Sequence, residues 1–313
     1  MAGQAAELVF DAATKKYTGR GAAAVDELSL TVPAGEICVL VGPSGGGKTT
    51  ALKLVNRLIP LTSGDIRIDG KSINALDVTE LRRGIGYVIQ QVGLFPHYTV
   101  EGNIGVVPRL YGEPRPWIKQ RSAELLELVG LDQSYAKRFP AQLSGGERQR
   151  VGLARAIAAD PPLMLMDEPF AAIDPIVRAR LQDEFLRLQR EVRKTVVFVT
   201  HDVDEAIKLG DRMAILRPGG KLAQYDTPMA ILEHPTDDFV AEFVGADRAL
   251  KALALHTVAE MELGPPSDGP RVAGTTTCRD ALALMIEKRV DRLAVTGDDG
   301  KVIGSIARKV LVP

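Results

Sequence analysis

Cysteine is scarce in this chain, which has two among its 313 residues. Cys38 lies in an apolar, strand-like run, and Cys278 lies far from it along the chain. Two cysteines in such positions argue against a disulfide framework and against a zinc site, and they are typical of proteins from a reducing compartment. We therefore predict a cytoplasmic protein.

An excess of charge of either sign is also missing. The 39 basic and 40 acidic residues are interspersed and give a formal net charge of −1. A nucleic-acid-binding protein is expected to carry a basic patch or stripe, and the sequence shows none. The composition therefore argues against a nucleic-acid partner.

Long apolar runs are absent as well. No stretch approaches the roughly 18 consecutive apolar residues that a membrane-crossing helix needs. The first residues, MAGQAAELVFDAATKK, lack the apolar centre of a signal peptide. We therefore expect that any membrane role of this chain depends on a partner.

Short apolar runs are present instead, and helix-like stretches separate them. They are EICVLVG from residue 36, LMLMDEP from residue 163, TVVFVTHD from residue 195 and RMAILRPGG from residue 212. Continuous runs of this length are typical of strands that are buried on both faces of a mostly parallel sheet. The chain is therefore predicted to have an α/β fold.

The segment after the first run has the spacing of an amphipathic helix. Apolar residues recur at Ala51, Leu54, Val55 and Leu58, which are positions i, i+3, i+4 and i+7 on one helix face. We therefore predict that all four side chains pack on the sheet.

Three other regions differ from this pattern. Residues 8–32 alternate and turn as antiparallel strands do. Residues 92–158 are mainly helical, with Gly130 as the stop signal of one helix, and indicate a helical subdomain inserted in the sheet domain. After Gly245 a turn-rich loop precedes one helix and one hairpin. We predict a main domain over residues 1–245 and a linker with a small α/β appendix over residues 246–313.

The segment GPSGGGKTT, residues 42–50, contains the pattern G-x-x-x-x-G-K-[ST] between a predicted strand and a predicted helix. Glycines let backbone N–H groups close around phosphate oxygens, Lys48 reaches the outer phosphates, and Thr49 offers a hydroxyl to Mg²⁺. A glycine-rich turn beside a surface lysine is the alternative. The context favours a nucleotide site formed by Gly42, Pro43, Ser44, Gly45, Gly46, Gly47, Lys48, Thr49 and Thr50.

Two adjacent acids end the second apolar run. Asp167 follows the predicted buried strand, where its carboxylate can hold a metal through water. Glu168 is placed to orient or deprotonate an attacking water. Two acids at a strand end can also cap a following helix, so the pair alone leaves both interpretations open.

A histidine, His201, follows the third run, at the sheet edge where open α/β folds bind ligands. A lone histidine there also fits a structural role. Asp202 and Glu205 have capping-box spacing, so helix initiation explains part of this segment without any function.

The segment LSGGERQRVGLARA, residues 143–156, has a serine and two glycines at the start of a predicted helix and so resembles a second phosphate site. Ser144 and Glu147 have capping-box spacing. Capping does not account for the two glycines between them or for the RQR that follows.

Together these motifs resemble the ATP-binding cassette (ABC) ATPases. LSGGERQ is similar to the signature motif of that family, and Gln90 in GYVIQQVGLFPH is similar to its Q-loop glutamine. AAID, ending at Asp174, looks like the D-loop, and Tyr17 falls where the family has an aromatic residue that stacks on adenine. The resemblance covers residues 7–245, with every motif in the family's order.

The resemblance implies a P-loop NTPase fold of the ABC cassette type, with a RecA-like mixed sheet, an antiparallel β subdomain and an inserted helical subdomain. Asp167 and Glu168 look like its Walker B pair, and His201 like its switch histidine. The implied catalytic residues are Lys48, Glu168 and His201. The implied magnesium-binding residues are Thr49, Gln90 and Asp167. The further nucleotide-binding residues, for ATP, are Tyr17, Gln90, Ser144, Gly145, Gly146 and Asp174.

The resemblance also accounts for the second phosphate-type helix start. In this family two cassettes bind head to tail, and the signature helix of one caps the γ-phosphate held by the phosphate loop of the other. The helix that starts at Ser144 would therefore serve a nucleotide bound to a second copy of the chain or to a paralogous cassette.

The expected partners follow from the same resemblance. Two transmembrane permease subunits would dock near Gln90 and the helical subdomain, an extracytoplasmic binding protein would act indirectly, and the chain would lie peripherally on the cytoplasmic face of the membrane. The segments GYVIQQVGLFPHYTVEGNI and YDTPMAILEHPTDDFVAEFVG look like importer cassettes for compatible solutes such as glycine betaine, carnitine, choline or proline betaine. Polar amino acid importers share much of these segments.

The appendix, from Leu253 onwards, resembles one cystathionine β-synthase (CBS) motif, a small α/β regulatory unit that related cassettes carry in pairs. One copy is visible, and the chain stops at RKVLVP, where the second helix of the motif should begin. Arg308 and Lys309 stand where the family often has an aspartate for a ribose. A structural or pairing role is therefore an alternative to nucleotide sensing.

Three alternatives to osmoprotectant import remain. The same mechanism could serve a polar amino acid or a polyamine. A soluble, non-transport ABC ATPase of DNA repair, chromosome organisation or translation usually has coiled-coil insertions or two cassettes, unlike this chain. An inactive subunit is disfavoured by the intact Lys48, Glu168 and His201.

Overall fold

The computed structural model describes residues 4–19, 21–89, 93–171, 173–297 and 299–311. The chain forms two compact units, Met1–Thr227 and Pro228–Pro313. This structural division lies earlier in the chain than the predicted domain boundary at Gly245. None of the helices in the described part of the chain has the length and apolarity that a bilayer crossing requires.

The first unit contains two sheets and a set of helices. Its strands are β1 (Leu8–Lys15), β2 (Val25–Val32), β3 (Ile37–Val41), β4 (Ser63–Ile68), β5 (Lys71–Ser72), β6 (Ile85–Val88), β7 (Leu163–Asp167), β8 (Thr195–Val199), β9 (Arg212–Leu216) and β10 (Leu222–Asp226). Its helices are α1 (Lys48–Val55), α2 (Val78–Arg83), α3 (Val100–Ile104), α4 (Val106–Leu110), α5 (Arg115–Leu128), α6 (Gly145–Ile157), α7 (Pro175–Val192) and α8 (Val203–Leu209), with 3-10 turns at Gln133–Lys137 and Pro140–Gln142.

The six-stranded sheet has the order β10-β9-β3-β8-β7-β6. All neighbours are parallel except β9 and β10, and every residue of β3, β7 and β8 is buried. The predicted mostly parallel, doubly covered sheet is therefore confirmed. Because Leu40, Val199 and Asp167 are register partners across β3, β8 and β7, the residues that follow these strands meet at one edge of the sheet.

The four-stranded sheet has the order β2-β1-β4-β5. All of its described pairings are antiparallel, as the alternating pattern of residues 8–32 predicts. Its apolar side chains join those of β3 and α1 in one core. This sheet therefore packs beside the strand and helix that flank the phosphate loop.

Helix α1 confirms three of its four predicted core positions. Ala51, Leu54 and Val55 are fully buried, but α1 ends at Val55 and Leu58 is 47% exposed. Arg57 takes a left-handed conformation at φ +46°, and the N–H of Leu58 donates to the carbonyl of Lys53 at 2.9 Å. This arrangement turns the chain away from the helix face, so the prediction for Leu58 is wrong.

The described residues between β6 and β7 form the helices α3 to α6 and no strand. Helix α5 ends at Leu128, and Gly130 follows at φ +65°. A left-handed residue just after the last helical turn is a common helix stop. The predicted role of Gly130 is therefore confirmed.

We expect Gly130→Ala to lower the free energy of unfolding by about 1 kcal/mol, because a side chain at φ +65° is strained. Gly84 is the matched control, since it ends α2 at φ −71°, and Gly84→Ala should cause no loss. Urea unfolding followed by fluorescence of Trp117, the one tryptophan of the chain and a residue of α5, measures both. Equal stabilities of the two variants would contradict the assigned role.

The second unit combines a helical segment with a small α/β sheet. Its elements are α9 (Pro228–Glu233), α10 (Asp238–Val244), α11 (Arg248–Ala252), a 3-10 turn at Val258–Glu260, β11 (Arg271–Ala273), α12 (Cys278–Lys288), β12 (Arg292–Thr296), β13 (Val302–Ala307) and α13 (Arg308–Leu311). Strand β12 pairs with β11 in parallel and with β13 as an antiparallel hairpin. The predicted helix and hairpin of the appendix are confirmed.

Candidate active site

The phosphate loop connects β3 to α1 in a conformation that requires glycine. Gly42, Gly45 and Gly47 have φ values of +148°, +81° and +80°. A Cβ at Gly47 would lie 2.1 Å from the carbonyl oxygen of Ala24, and one at Gly42 would lie 2.2 Å from that of Leu216. The loop therefore lies in close backbone contact with its neighbours. Because glycine has no side chain, these three residues leave their backbone amides uncovered by side-chain atoms of their own.

Lys48 lies at the first position of α1 and is 9% exposed. Its Nζ donates to the carbonyl oxygens of Gly42 at 2.6 Å and Pro43 at 3.0 Å. Burial lowers the pKa of the Lys48 ammonium, and the nearby carboxylates of Glu168 and Asp167 oppose that shift. The ammonium is thus held over the loop, where it could neutralise the outer phosphates of a bound nucleotide.

Thr49 and Asp167 join α1 to the end of β7. The Thr49 hydroxyl donates to Asp167 Oδ1 at 3.0 Å, and Asp167 is 2% exposed. Burial raises the pKa of the Asp167 carboxyl, while the Thr49 hydrogen bond opposes this shift. A hydroxyl and a carboxylate are the hard oxygen donors that Mg²⁺ prefers, so these two residues fit the predicted metal.

Glu168 begins the turn after β7 in a left-handed conformation at φ +49°. Its N–H donates to the carbonyl of Val199 at 3.0 Å. The side chain is 19% exposed, and its Oε1 lies 3.5 Å from Nδ1 of His201, whose ring is 68% exposed. The sheet edge therefore brings a partly buried carboxylate and an accessible imidazole together beside the phosphate loop.

The capping interpretations are confirmed in part. Asp202 accepts hydrogen bonds from the N–H groups of Asp204 and Glu205 and so begins α8. The Glu205 carboxylate does not complete the box, because it is buried and accepts from Gln182 Nε2 at 2.9 Å. The N–H of Asp202 donates instead to the Thr200 hydroxyl at 3.1 Å. Helix initiation therefore accounts for Asp202 but not for His201.

A cleft of about 590 Å³ opens beside the phosphate loop. Its lining residues are Tyr17, Ala22, Ala23, Ala24, Gly45, Gly47, Thr50 and Gly219. The Lys15 ammonium lies 5.2 Å from the centre of the Tyr17 ring. The cleft thus places an aromatic ring next to the phosphate loop, while the alanines and Gly219 are lining residues that the sequence analysis missed.

The second predicted phosphate-type site begins α6. Ser144 and Glu147 form the predicted capping box, in which Ser144 N–H donates to Glu147 Oε2 at 2.6 Å and Glu147 N–H donates to Ser144 Oγ at 3.3 Å. Ser144 and Gly145 are exposed at this helix start, and Gly146 is half-buried. These contacts satisfy the serine within its own helix and leave the start of α6 at the surface.

Two further predicted residues have different outcomes. Asp174 caps α7 and accepts from the N–H groups of Ile176 and Val177 at 3.0 and 3.4 Å. Gln90 lies outside the described residues. Gly93, the first described residue after Gln90, accepts a hydrogen bond through its carbonyl oxygen from Arg155 of α6 at 2.8 Å.

The phosphate loop and the acids at the same sheet edge define a P-loop ATPase. The family described as "ABC transporter" matches residues 25–171, and the "CBS domain" family matches residues 266–312. The chain belongs to the ATP-binding proteins of ABC transporters, and it is an ATPase of that class.

Two relatives illustrate this membership. The chain is 47% identical to the osmoprotectant import ATP-binding protein OsmV of Salmonella typhimurium, over 95% of this chain and 78% of that protein. It is 49% identical to the glycine betaine/carnitine/choline transport ATP-binding protein OpuCA of Bacillus subtilis, over 92% of this chain and 75% of that protein.

Solved structures support the fold. A bacterial ABC transporter cassette solved as a dimer is similar with a TM-score of 0.66 and 33% identity, over 71% of this chain and 98% of that one. The same cassette in a dimeric post-hydrolysis state with ADP and Pi has a TM-score of 0.65. The fold predicted from the motifs is therefore confirmed.

Proposed function

We propose that this chain is the ATP-hydrolysing subunit of an importer for a compatible solute such as glycine betaine, carnitine, choline or proline betaine. The observation that carries the ATPase mechanism is the meeting of Lys48, Asp167 and Glu168 with His201 at one sheet edge. The solute class is supported by the names of the relatives, which are osmoprotectant, choline, carnitine and glycine betaine transport proteins.

ATP would bind with its phosphates in the loop of residues 42–50 and its adenine beside Tyr17. Lys48 would neutralise the outer phosphates, and Glu168 would orient or deprotonate the attacking water. His201 would hold the Glu168 carboxylate and contact the γ-phosphate that water attacks. Thr49, Asp167 and Gln90 would hold Mg²⁺, which supplies further positive charge to the phosphates.

Each complete site would be formed by two chains. A helix start presents backbone N–H groups and the positive end of the helix dipole, and the start of α6, formed by Ser144, Gly145 and Gly146, would present them to the nucleotide of a partner. Asp174 would lie in the same interface. The surface position of Ser144 and Gly145 and the dimeric form of the similar solved cassette support this arrangement.

We expect Ser144→Arg in one chain of a mixed dimer to impair the site that contains the partner's Lys48, because a long cationic side chain would displace the helix start from the phosphate. The other site, which has a native Ser144, should keep its turnover. Dimers purified through two different tags and assayed for ATP hydrolysis per site test this expectation. Native turnover at both sites would refute the shared-site arrangement.

Two permease subunits would contact the first unit near Gln90 and the helices α4 and α5. A cleft of about 570 Å³ beside α4 and α5 is lined by residues that include Pro108, Tyr111, Trp117, Asp160 and Val192. Tyr111 and Trp117 are 47% and 40% exposed, so they would provide apolar contact area to a permease segment. The binding protein would act through the permease, and the chain would lie on the cytoplasmic face of the membrane.

Residues 246–313 would form a linker and a partial CBS-like regulatory domain. The match of residues 266–312 to the CBS family supports this assignment. The same ATPase mechanism could serve a polar amino acid or a polyamine, and a comparison of solutes in uptake separates these alternatives.

A further inference from the structure

Gln149 connects the signature helix α6 to the catalytic turn of its own chain. The residue is 2% exposed, and its Nε2 donates to the carbonyl oxygen of Glu168 at 3.0 Å. The same helix starts after Ser144, which lies five residues before Gln149 and is exposed. One rigid helix therefore contacts Glu168 at one point and presents its start to the surface at another.

The Glu168 backbone is in a conformation that needs support. A non-glycine residue at φ +49° is strained, and such residues persist when their surroundings hold them. The Glu168 N–H donates to Val199, and the Glu168 carbonyl accepts from the N–H of Ala171 at 3.2 Å as well as from Gln149. Val199 belongs to the sheet, and Ala171 belongs to the turn itself. Of these three hydrogen-bond partners of Glu168, Gln149 is the one that comes from α6.

We infer that Gln149 is a positioning residue for Glu168 and that it connects the two ATP sites of the dimer. The inference rests on the proposed function, in which α6 of one chain caps the nucleotide of its partner. A shift of α6 on contact with that nucleotide changes the position of the Gln149 amide. The amide in turn holds the peptide that aims the Glu168 carboxylate of its own site.

Replacing Gln149 by methionine keeps the length of the side chain and removes the N–H donor. The Glu168 carbonyl keeps its bond from Ala171, so this oxygen retains a hydrogen-bond partner. We expect kcat to fall roughly tenfold, the effect of losing about one hydrogen bond from the positioned state. The KM for ATP should stay within about twofold, because the phosphate loop is unchanged.

Gln189→Met is the matched control. Gln189 is also a buried glutamine, and its Nε2 donates to the carbonyl oxygens of Gly35 and Lys194. It lies near the end of α7, away from the catalytic turn. We expect this variant to lose stability and to keep its kcat, and a kcat for Gln149→Met that equals that of the control would overturn the inference.

Mixed dimers distinguish positioning from a general effect on α6. In both dimers one chain keeps Glu168 and the other carries Glu168→Gln, so that one site is active. Gln149→Met is placed either in the chain with the active Glu168 or in its partner, whose α6 caps the active site. We expect single-turnover hydrolysis to slow about tenfold in the first dimer and to stay within about twofold in the second.

Equal rates in these two dimers would overturn the positioning role. A larger loss in the second dimer would also overturn it, because Gln149 would then act on the partner's nucleotide. If the dimer with Glu168→Gln and no change at Gln149 fails to assemble or to hydrolyse ATP, the proposed function and the inference fail together. If that dimer is active, the difference in rate between the two Gln149→Met dimers tests the inference separately from the proposed function.

Discussion

Glu168→Gln is expected to lower ATP turnover by about a thousandfold, because glutamine keeps the size of the side chain and cannot accept the proton of the attacking water. ATP binding should remain. The residues that hold the phosphates are Lys48 and the glycine loop, and none of their described hydrogen bonds involves the Glu168 side chain. The variant should therefore bind ATP and stay in the state that precedes hydrolysis.

The consequence for assembly is a stable dimer in the presence of ATP and Mg²⁺. Size-exclusion chromatography with and without ATP measures it, and Glu191→Gln is a suitable control because Glu191 is an exposed acid paired with Arg187 on the surface of α7. The control should behave like the native chain in turnover and in size. A Glu168→Gln variant that remains monomeric with ATP would contradict the head-to-tail dimer.

Gly47→Ala is expected to weaken ATP binding by about a hundredfold, which corresponds to roughly 3 kcal/mol. A Cβ at this residue would lie 2.1 Å from the carbonyl oxygen of Ala24 and 3.2 Å from the Cα of Gly220. Backbone atoms cannot rotate away as a side-chain end can, so the loop itself must move. That movement displaces the amides that surround the phosphates.

Gly112→Ala is the matched control for this substitution. Gly112 also has a positive φ, +84°, and no atom lies within 4 Å of the position of an added Cβ. It is in the helical segment, next to α4. The control should lose a little stability and keep its ATP affinity, measured by calorimetric titration, and an unchanged affinity of Gly47→Ala would show that the loop does not need this contact.

The parts of the fold that the sequence predicts well depend on local patterns. The buried runs around Leu40 and Leu165 have the length and composition of doubly covered strands, and they form two strands of one sheet, with β8 between them. Gly130 stops a helix because glycine tolerates a positive φ. Leu58 was placed wrongly because Arg57, which carries no such signal, takes the left-handed conformation that ends α1.

In the candidate site, too, some features follow from local sequence patterns and others depend on packing. The phosphate loop, Asp167 and Glu168 are recognisable because their spacing and their position after apolar runs carry the signal. The contact of Gly47 with Ala24 and the hydrogen bond from Gln149 to Glu168 join residues that are distant along the chain. Such contacts depend on how strands and helices pack, so no local pattern could reveal them.

The electrostatic state of the site is likewise a result of packing. Asp167 looks like any strand-end acid in the sequence, yet burial raises the pKa of its carboxyl and the Thr49 hydroxyl is directed to it. Lys48 looks like a surface lysine beside a glycine-rich turn, yet it is nearly fully buried and bonded to the loop carbonyls. The burial and hydrogen bonds of Asp167 and Lys48 therefore determine the charges that a bound phosphate would meet.

In the proposed function, ATP hydrolysis at the Glu168 site powers import of a compatible solute. The most direct test of this coupling is the uptake of labelled glycine betaine by cells that carry either the native chain or Glu168→Gln, at low and high osmolarity. We predict uptake that rises with osmolarity in cells with the native chain, that unlabelled carnitine or choline reduces, and that Glu168→Gln abolishes. Equal uptake with both chains, or competition by polar amino acids or polyamines alone, would contradict the account.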